Sequence, residues 1–179
     1  MKRILDKIYW LFNIIFLKKY EGYLDIETTN LETEKGEITV IGFGIDKGKK
    51  FEFIQLINNE ITTDKLIKII KKIKILYTYN GTDFDLKFIK KKLNIDIEKY
   101  CIHKDLMNEC HQRNLYGGLK QVEKKLGIER KLKDINGFAA VKLWERYKNL
   151  GDKKALETLL EYNREDVLNL KILKEKLEI

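Results

Sequence analysis

The chain has 179 residues, of which 44% are hydrophobic and 36% charged. That length makes one domain with a core large enough to need no staples. The apolar share excludes a disordered chain, the charge excludes a polytopic membrane protein, and two cysteines cannot build a disulfide framework, which points to a reducing, cytoplasmic setting. The net charge of +8 suits a polyanionic partner. Lysine supplies 31 of the 36 basic residues and proline is absent, a bias that genome composition or a hot habitat also produces.

Ile8 to Leu17 is a ten-residue apolar run interrupted by Asn13. It is short of the ~20 residues that span a bilayer, so no stable membrane insertion is expected. Lys18-Lys19-Tyr20-Glu21 follows it, where a signal peptide would need small residues. Residues 1–19 therefore read as an N-terminal packing helix, with a peripheral membrane contact as the alternative. Residues 20–179 carry no repeat, linker or low-complexity segment. Gly22 to Ile26, Glu37 to Ile45 and Lys49 to Ile57 read as strands, the last two joined by the turn Asp46-Lys47-Gly48. A helix follows from Thr62 or Thr63 to about Ile73, with Leu66, Ile69, Ile70 and Ile73 on one face. Ile75 to Tyr79 is a strand, Asp83 to Leu93 a helix and Lys99 to His103 a strand. Helices are expected over 105–113, 118–126, 137–149 and 152–177, two of them closed by Gly127 and Gly151. The sum is an α/β three-layer domain with a five-stranded sheet.

Asp25 and Glu27 stand at i and i+2 near the end of the first strand, so both face one way while Ile26 faces the other. Two carboxylates side by side on a central strand are costly without positive charge between them, and a hard divalent cation is the natural counter-charge. Alone, the pair also fits a polar strand end. Asp83 and Asp85 follow the fourth strand in Asn80-Gly81-Thr82-Asp83-Phe84-Asp85, and either suits the first turn of a helix. Tyr162 and Asp166, at i and i+4 of the last helix, share a face with Leu159, Leu170 and Leu173.

The order Asp-x-Glu, Asn-Gly-x-x-Phe-Asp and Tyr-x-x-x-Asp, each on its expected element, resembles the DEDD exonuclease superfamily. The tyrosine of the third motif resembles the DEDDy branch, which includes the proofreading domains of DNA polymerases. Leu115-Tyr116-Gly117-Gly118-Leu119-Lys120, Asp134-Ile135-Asn136-Gly137, Leu143-Trp144 and Tyr162-Asn163-Arg164-Glu165-Asp166-Val167 look most like the predicted YprB-type exonucleases. The resemblance covers about residues 20–175. It implies an RNase H-like fold, a five-stranded mixed sheet with helices on both faces. It implies a metal-dependent 3′→5′ exonuclease acting on single-stranded DNA or RNA. Asp25, Glu27, Asp85 and Asp166 would hold two Mg²⁺ or Mn²⁺ ions, and Tyr162 would orient the attacking water. By the same resemblance Thr28 and Asn80 lie near the terminal nucleotide and Phe84 packs beneath it.

The lysine- and arginine-rich stretch from Arg113 to Lys133 is either a solvated face or the lining of a groove for a nucleic-acid strand. Cys101, His103, Cys110 and His111 match no common zinc spacing and read as buried cysteines with surface histidines. With no accessory nucleic-acid domain in view, distributive action or a partner protein is expected. Two alternatives stand beside the exonuclease: a structure-specific endonuclease on the same fold, and a catalytically idle nucleic-acid-binding module. The intact acids argue against the second.

Overall fold

A computed structural model describes residues 20–179, so the packing helix expected over 1–19 lies outside the described residues. The three β-rich runs become β1 (Tyr20–Thr28), β2 (Ile38–Asp46) and β3 (Phe51–Ile57). The turn between β2 and β3 needs Gly48 at φ +78°, and Asp46 Oδ1 fixes it by accepting from the Gly48 amide at 2.8 Å. β4 (Ile73–Thr78) and β5 (Ile102–Asp105) complete a sheet in the order β3-β2-β1-β4-β5. β1 pairs antiparallel with β2 and parallel with β4, so it is the central strand.

Among the described residues there are six α-helices, the first two interleaved with β4 and β5 and the rest after them: α1 (Thr63–Ile70), α2 (Asp85–Leu93), α3 (Leu106–His111), α4 (Leu119–Leu126), α5 (Gly137–Leu150) and α6 (Lys153–Lys176). Four of them begin at a side chain that accepts a backbone N–H of the first turn: Thr62, Asp105, Asn136 and Asp152. Of the boundaries that differ from the sequence reading, three have a clear local cause. α1 stops at Ile70, and Ile73 opens β4, because an isoleucine at that spacing serves a helix face and a buried strand equally well. α2 starts at Asp85 instead of Asp83, because Asn80, at φ +60°, turns the chain first. β5 begins at Ile102, and Ile97–Lys99 is a single 3₁₀ turn.

Alternation on the central strands sorts the core into two layers. Leu24, Ile26, Ile41, Phe43 and Ile45 face α1 and α2, where Leu66, Ile70, Phe88 and Ile89 meet them. Tyr23, Tyr77, Val167, Leu170 and Leu173 pack on the opposite face, against α3, α4 and α6. A smaller cluster of Val40, Ala140, Trp144, Leu159 and Tyr162 joins α5 and α6 to the same face. Helices therefore cover both faces of a mixed five-stranded sheet.

The approach of α6 to the sheet depends on Gly42, opposite Asp25 in the β1–β2 register. A Cβ at Gly42 would stand 2.2 Å from Asn163 Oδ1 and 2.9 Å from Val167. Gly42→Ala is expected to cost ~1–3 kcal/mol through this overpacking. Urea unfolding of the variant beside wild type measures it.

Candidate active site

β1 carries Asp25 and Glu27 on its α6 side and ends at a register shift between Glu27 and Thr28. α6 contributes Asp166 from its buried stripe, with Tyr162 one turn earlier. One carboxylate oxygen from each of Asp25, Glu27 and Asp166 lies within 4.8 Å of the other two. They floor a cleft of about 160 Å³ whose walls include Thr28, Leu31, Phe84, Gly137 and Tyr162.

Each acid is seated differently. Asn163 Nδ2 donates to Asp25 Oδ2 at 2.8 Å and to the Asp25 carbonyl at 3.1 Å. Asn163 is itself held by Gln55 Nε2, which donates to its Oδ1 at 2.9 Å. Asp85, expected as a fourth ligand, is outside that group of three and does not line the cleft; it is buried, and its Oδ1 accepts from the Ile26 amide at 3.0 Å. Asp166 Oδ1 accepts from Arg130. Glu27 is buried, and among the described residues its Oε1 has no hydrogen-bond partner. Asp83 is exposed and paired with Lys87 at 2.6 Å, so the two aspartates of that motif have separate surroundings.

Removal from water raises all four carboxyls. Asp25 and Glu27 are lifted well above the usual carboxylate range, with Asp166 and Asp85 adding repulsion to both. Burial lifts Asp85 to about 7. It lifts Asp166 to about 6, against the downward pull of Arg130. Burial and the charges of Asp166, Glu27 and Asp25 push the Tyr162 hydroxyl far above its ordinary value. Lys120 Nζ stands 4.9 Å from the Tyr162 ring centroid.

The residues the sequence singles out do not all reach the cleft. Thr28 and Phe84 line it, and Phe84 also packs on Phe88 with ring centroids 5.0 Å apart. Asn80 is not among the lining residues. It sits in the turn before α2, its amide donating to Asp105 Oδ1 at 2.7 Å. Asp105 also accepts from the Thr82 and Met107 amides, so one buried carboxylate ties that turn to the end of β5. Its position as a strand-end acid before a helix signals the cap but not the two longer ties.

The basic stretch divides. Lys120, Lys124 and Lys133 line a second cleft of about 650 Å³ together with Glu123, Glu129 and Arg130, the last only 8% exposed because its guanidinium is spent on buried carboxylates. Cys101 and Cys110 are buried in different layers of the core. His103 is half-buried against Thr78 Oγ1 at 2.8 Å and is not the surface residue expected.

A mixed sheet that starts with an antiparallel meander and sets acids on its central strand defines the RNase H-like class of folds. The chain matches the family model of the RNase H superfamily over residues 22–178 and belongs to that superfamily. No curated protein matches it by sequence. Among solved structures it is similar to the family B DNA polymerase of the hyperthermophilic archaeon Pyrobaculum calidifontis, with a TM-score of 0.68 at 16% identity over 88% of this chain. It spans only 24% of that polymerase. It is also similar to Brucella melitensis NrnC bound to pGG, with a TM-score of 0.60 at 21% identity, covering 88% of this chain and 71% of that one. The form of NrnC with bound Mg²⁺ gives a TM-score of 0.56 at the same 21% identity and the same coverage. Among the described residues, no helix is long and apolar enough to cross a membrane.

The raised carboxyls make a pH prediction. The folded protein keeps protons on Asp85 and Asp166 that the unfolded chain releases near its ordinary carboxylate range, around pH 4. Their contribution to stability is complete below that range and is lost as pH rises through about 6 to 7. Without divalent cations, Tm is expected to be about 5–10 °C lower at pH 8 than at pH 5. Saturating Mn²⁺ at pH 8 should recover most of the loss, and calorimetric melts with and without EDTA measure both.

Proposed function

We propose that the chain is a metal-dependent 3′→5′ exonuclease of the DEDDy branch, most like the YprB-type enzymes, acting on single-stranded DNA or RNA. The observation that carries this reading is the convergence of Asp25, Glu27 and Asp166 within 4.8 Å, beside Tyr162, in one cleft. The donor set fits hard divalent cations: it is all oxygen, and one buried oxygen, Glu27 Oε1, has no other partner among the described residues. NrnC, similar in fold, has been solved with pGG and with Mg²⁺, which supports nucleic acid and divalent metal as the ligands.

Asp25, Glu27 and Asp166 would hold two Mg²⁺ or Mn²⁺ ions, with Asp85 as the fourth ligand. When bound, such ions supply a water of lowered pKa and neutralise the charge that develops on the leaving 3′ oxygen. The chain's own groups do the rest. Tyr162 keeps its proton at any working pH, so its hydroxyl positions the attacking water and does not serve as a base. Asn163 holds Asp25 in place, and the Ile26 amide holds Asp85. Thr28 and Phe84, which line the cleft, would meet the terminal nucleotide, whereas Asn80 would act through the turn it anchors. Lys120, Lys124 and Lys133 give the neighbouring cleft the charge to carry a phosphate backbone.

Digestion of matched DNA and RNA oligonucleotides labelled at either end, with circular single strands alongside, tests the reading in Mg²⁺ and Mn²⁺. Loss of label from the 3′ end with intact circles is expected. Cut circles would establish the endonuclease instead, and binding without hydrolysis the idle module. Asp85→Asn is expected to abolish hydrolysis while Asp83→Asn leaves it mildly changed; the reverse ranking refutes the assignment of the third acid. Tyr162→Phe should lower kcat by roughly 10²-fold with substrate affinity little changed, since it removes one positioning hydrogen bond. A full-rate Tyr162→Phe enzyme in single-turnover kinetics would leave the tyrosine as packing alone.

A further inference from the structure

Arg130 is one of five arginines in a chain with 31 lysines. Its side chain is buried with three carboxylates. Nη1 donates to both oxygens of Glu123 at 2.9 and 2.8 Å, Nη2 donates to Asp166 Oδ1, and Nε faces Glu165 at 3.5 Å. Glu123 is fully buried and is fixed in turn by Asn169 Nδ2, which donates to it at 3.0 Å. Glu165 accepts from the Lys131 and Leu132 amides, which fastens the chain just after Arg130 to α6. Glu165 and Asp166, consecutive on α6, therefore both grip the same short segment.

We propose that Arg130 is a positioning residue of the metal site: its guanidinium, seated on Glu123, holds the Asp166 carboxylate in the orientation that presents it beside Asp25 and Glu27. The proposal rests on the functional reading above. Stability is a weak reason for such a network, because a buried ion pair contributes little net over apolar side chains of similar volume. Geometry is a better one. Of the buried polar residues beside Asp166 on α6, Asn163 is committed to Asp25 and Asn169 to Glu123, and Tyr162 offers a single hydroxyl, so Arg130 is the charged group that fixes the carboxylate. A planar fork can bond Glu123 with one arm and Asp166 with the other, whereas lysine is a single point charge on a flexible stem. In a chain that otherwise chooses lysine six times out of seven, arginine stands where the fork is used. Glu123 also balances the guanidinium charge, so Asp166 is oriented without a surplus positive charge beside a cation site.

Mn²⁺ calorimetry on the full chain tests the proposal, with melts and metal-activation curves on the same samples. Arg130→Lys keeps the charge and loses the fork. It should weaken Mn²⁺ binding ~10–100-fold, as loss of a group behind a metal ligand does elsewhere. It should also raise the Mn²⁺ needed for half-maximal hydrolysis, with kcat at saturating Mn²⁺ changed much less. Glu123→Gln, which loosens the seat and leaves Asp166 and its neighbours intact, should shift affinity the same way by a smaller factor. Mn²⁺ affinity equal to or tighter than wild type in Arg130→Lys, with only Tm lowered, overturns the proposal and leaves Arg130 a structural counter-ion. If the Arg130 variant does not fold, Glu123→Gln decides alone: unchanged affinity in that folded variant overturns it. Failure of the wild-type chain to bind Mn²⁺ sinks the functional reading as well, whereas a binding wild type with unshifted variants sinks only this one.

Discussion

Four carboxylates crowd one end of a central β-strand, and their mutual repulsion under poor solvation is the constraint that the surrounding structure answers. Left alone, each would take up a proton or turn toward water. The chain gives three of them a private donor: an amide side chain on Asp25, a backbone N–H on Asp85 and a guanidinium on Asp166. Among the described residues, one buried oxygen of Glu27 has no donor. The arrangement concentrates negative charge where only part of it is answered by the chain's own groups.

The backbone is shaped to deliver those donors. Gly42 and Gly44 remove side chains from the face of β2 that α6 covers, so Val167 packs close to the sheet and Asn163 reaches across to Asp25. Gln55 on β3 continues the line, donating to the Leu160 carbonyl and to Asn163, so strand and helix are tied where the acids need them. On the other side of β1, Asp105 gathers the amides of Asn80, Thr82 and Met107 and thereby sets the point at which α2 begins, which brings Asp85 under Ile26.

Much of this was legible in the order of residues. Period-two spacing puts Asp25 and Glu27 on one face of β1, and the i, i+4 spacing of Tyr162 and Asp166 puts both on the inner stripe of α6. Capping residues mark the helix starts because their chemistry is local. What could not be read depends on partners far along the chain. Arg130 lies in a run of lysines and acids that has the look of a solvated surface, and only the folded positions of Glu123 and Asp166 show that it turns inward. Asn163 reads as a neutral helix residue until Gln55 and Asp25 arrive on either side. The start of α2 was misplaced for the same reason: two acids suit a helix N-terminus locally, and the long-range grip of Asp105 chooses between them.

The hydrogen bonds from Asn163 to Asp25 join residues 138 positions apart. Strands β1 to β5 leave the ribosome well before α6, and contacts of such long sequence separation form late in folding. During synthesis the acids of β1 therefore stand without Asp166, Tyr162 or Asn163. Placing Asp166, Tyr162 and Asn163 on α6 makes the docking of that one helix the event that assembles the cluster of acids.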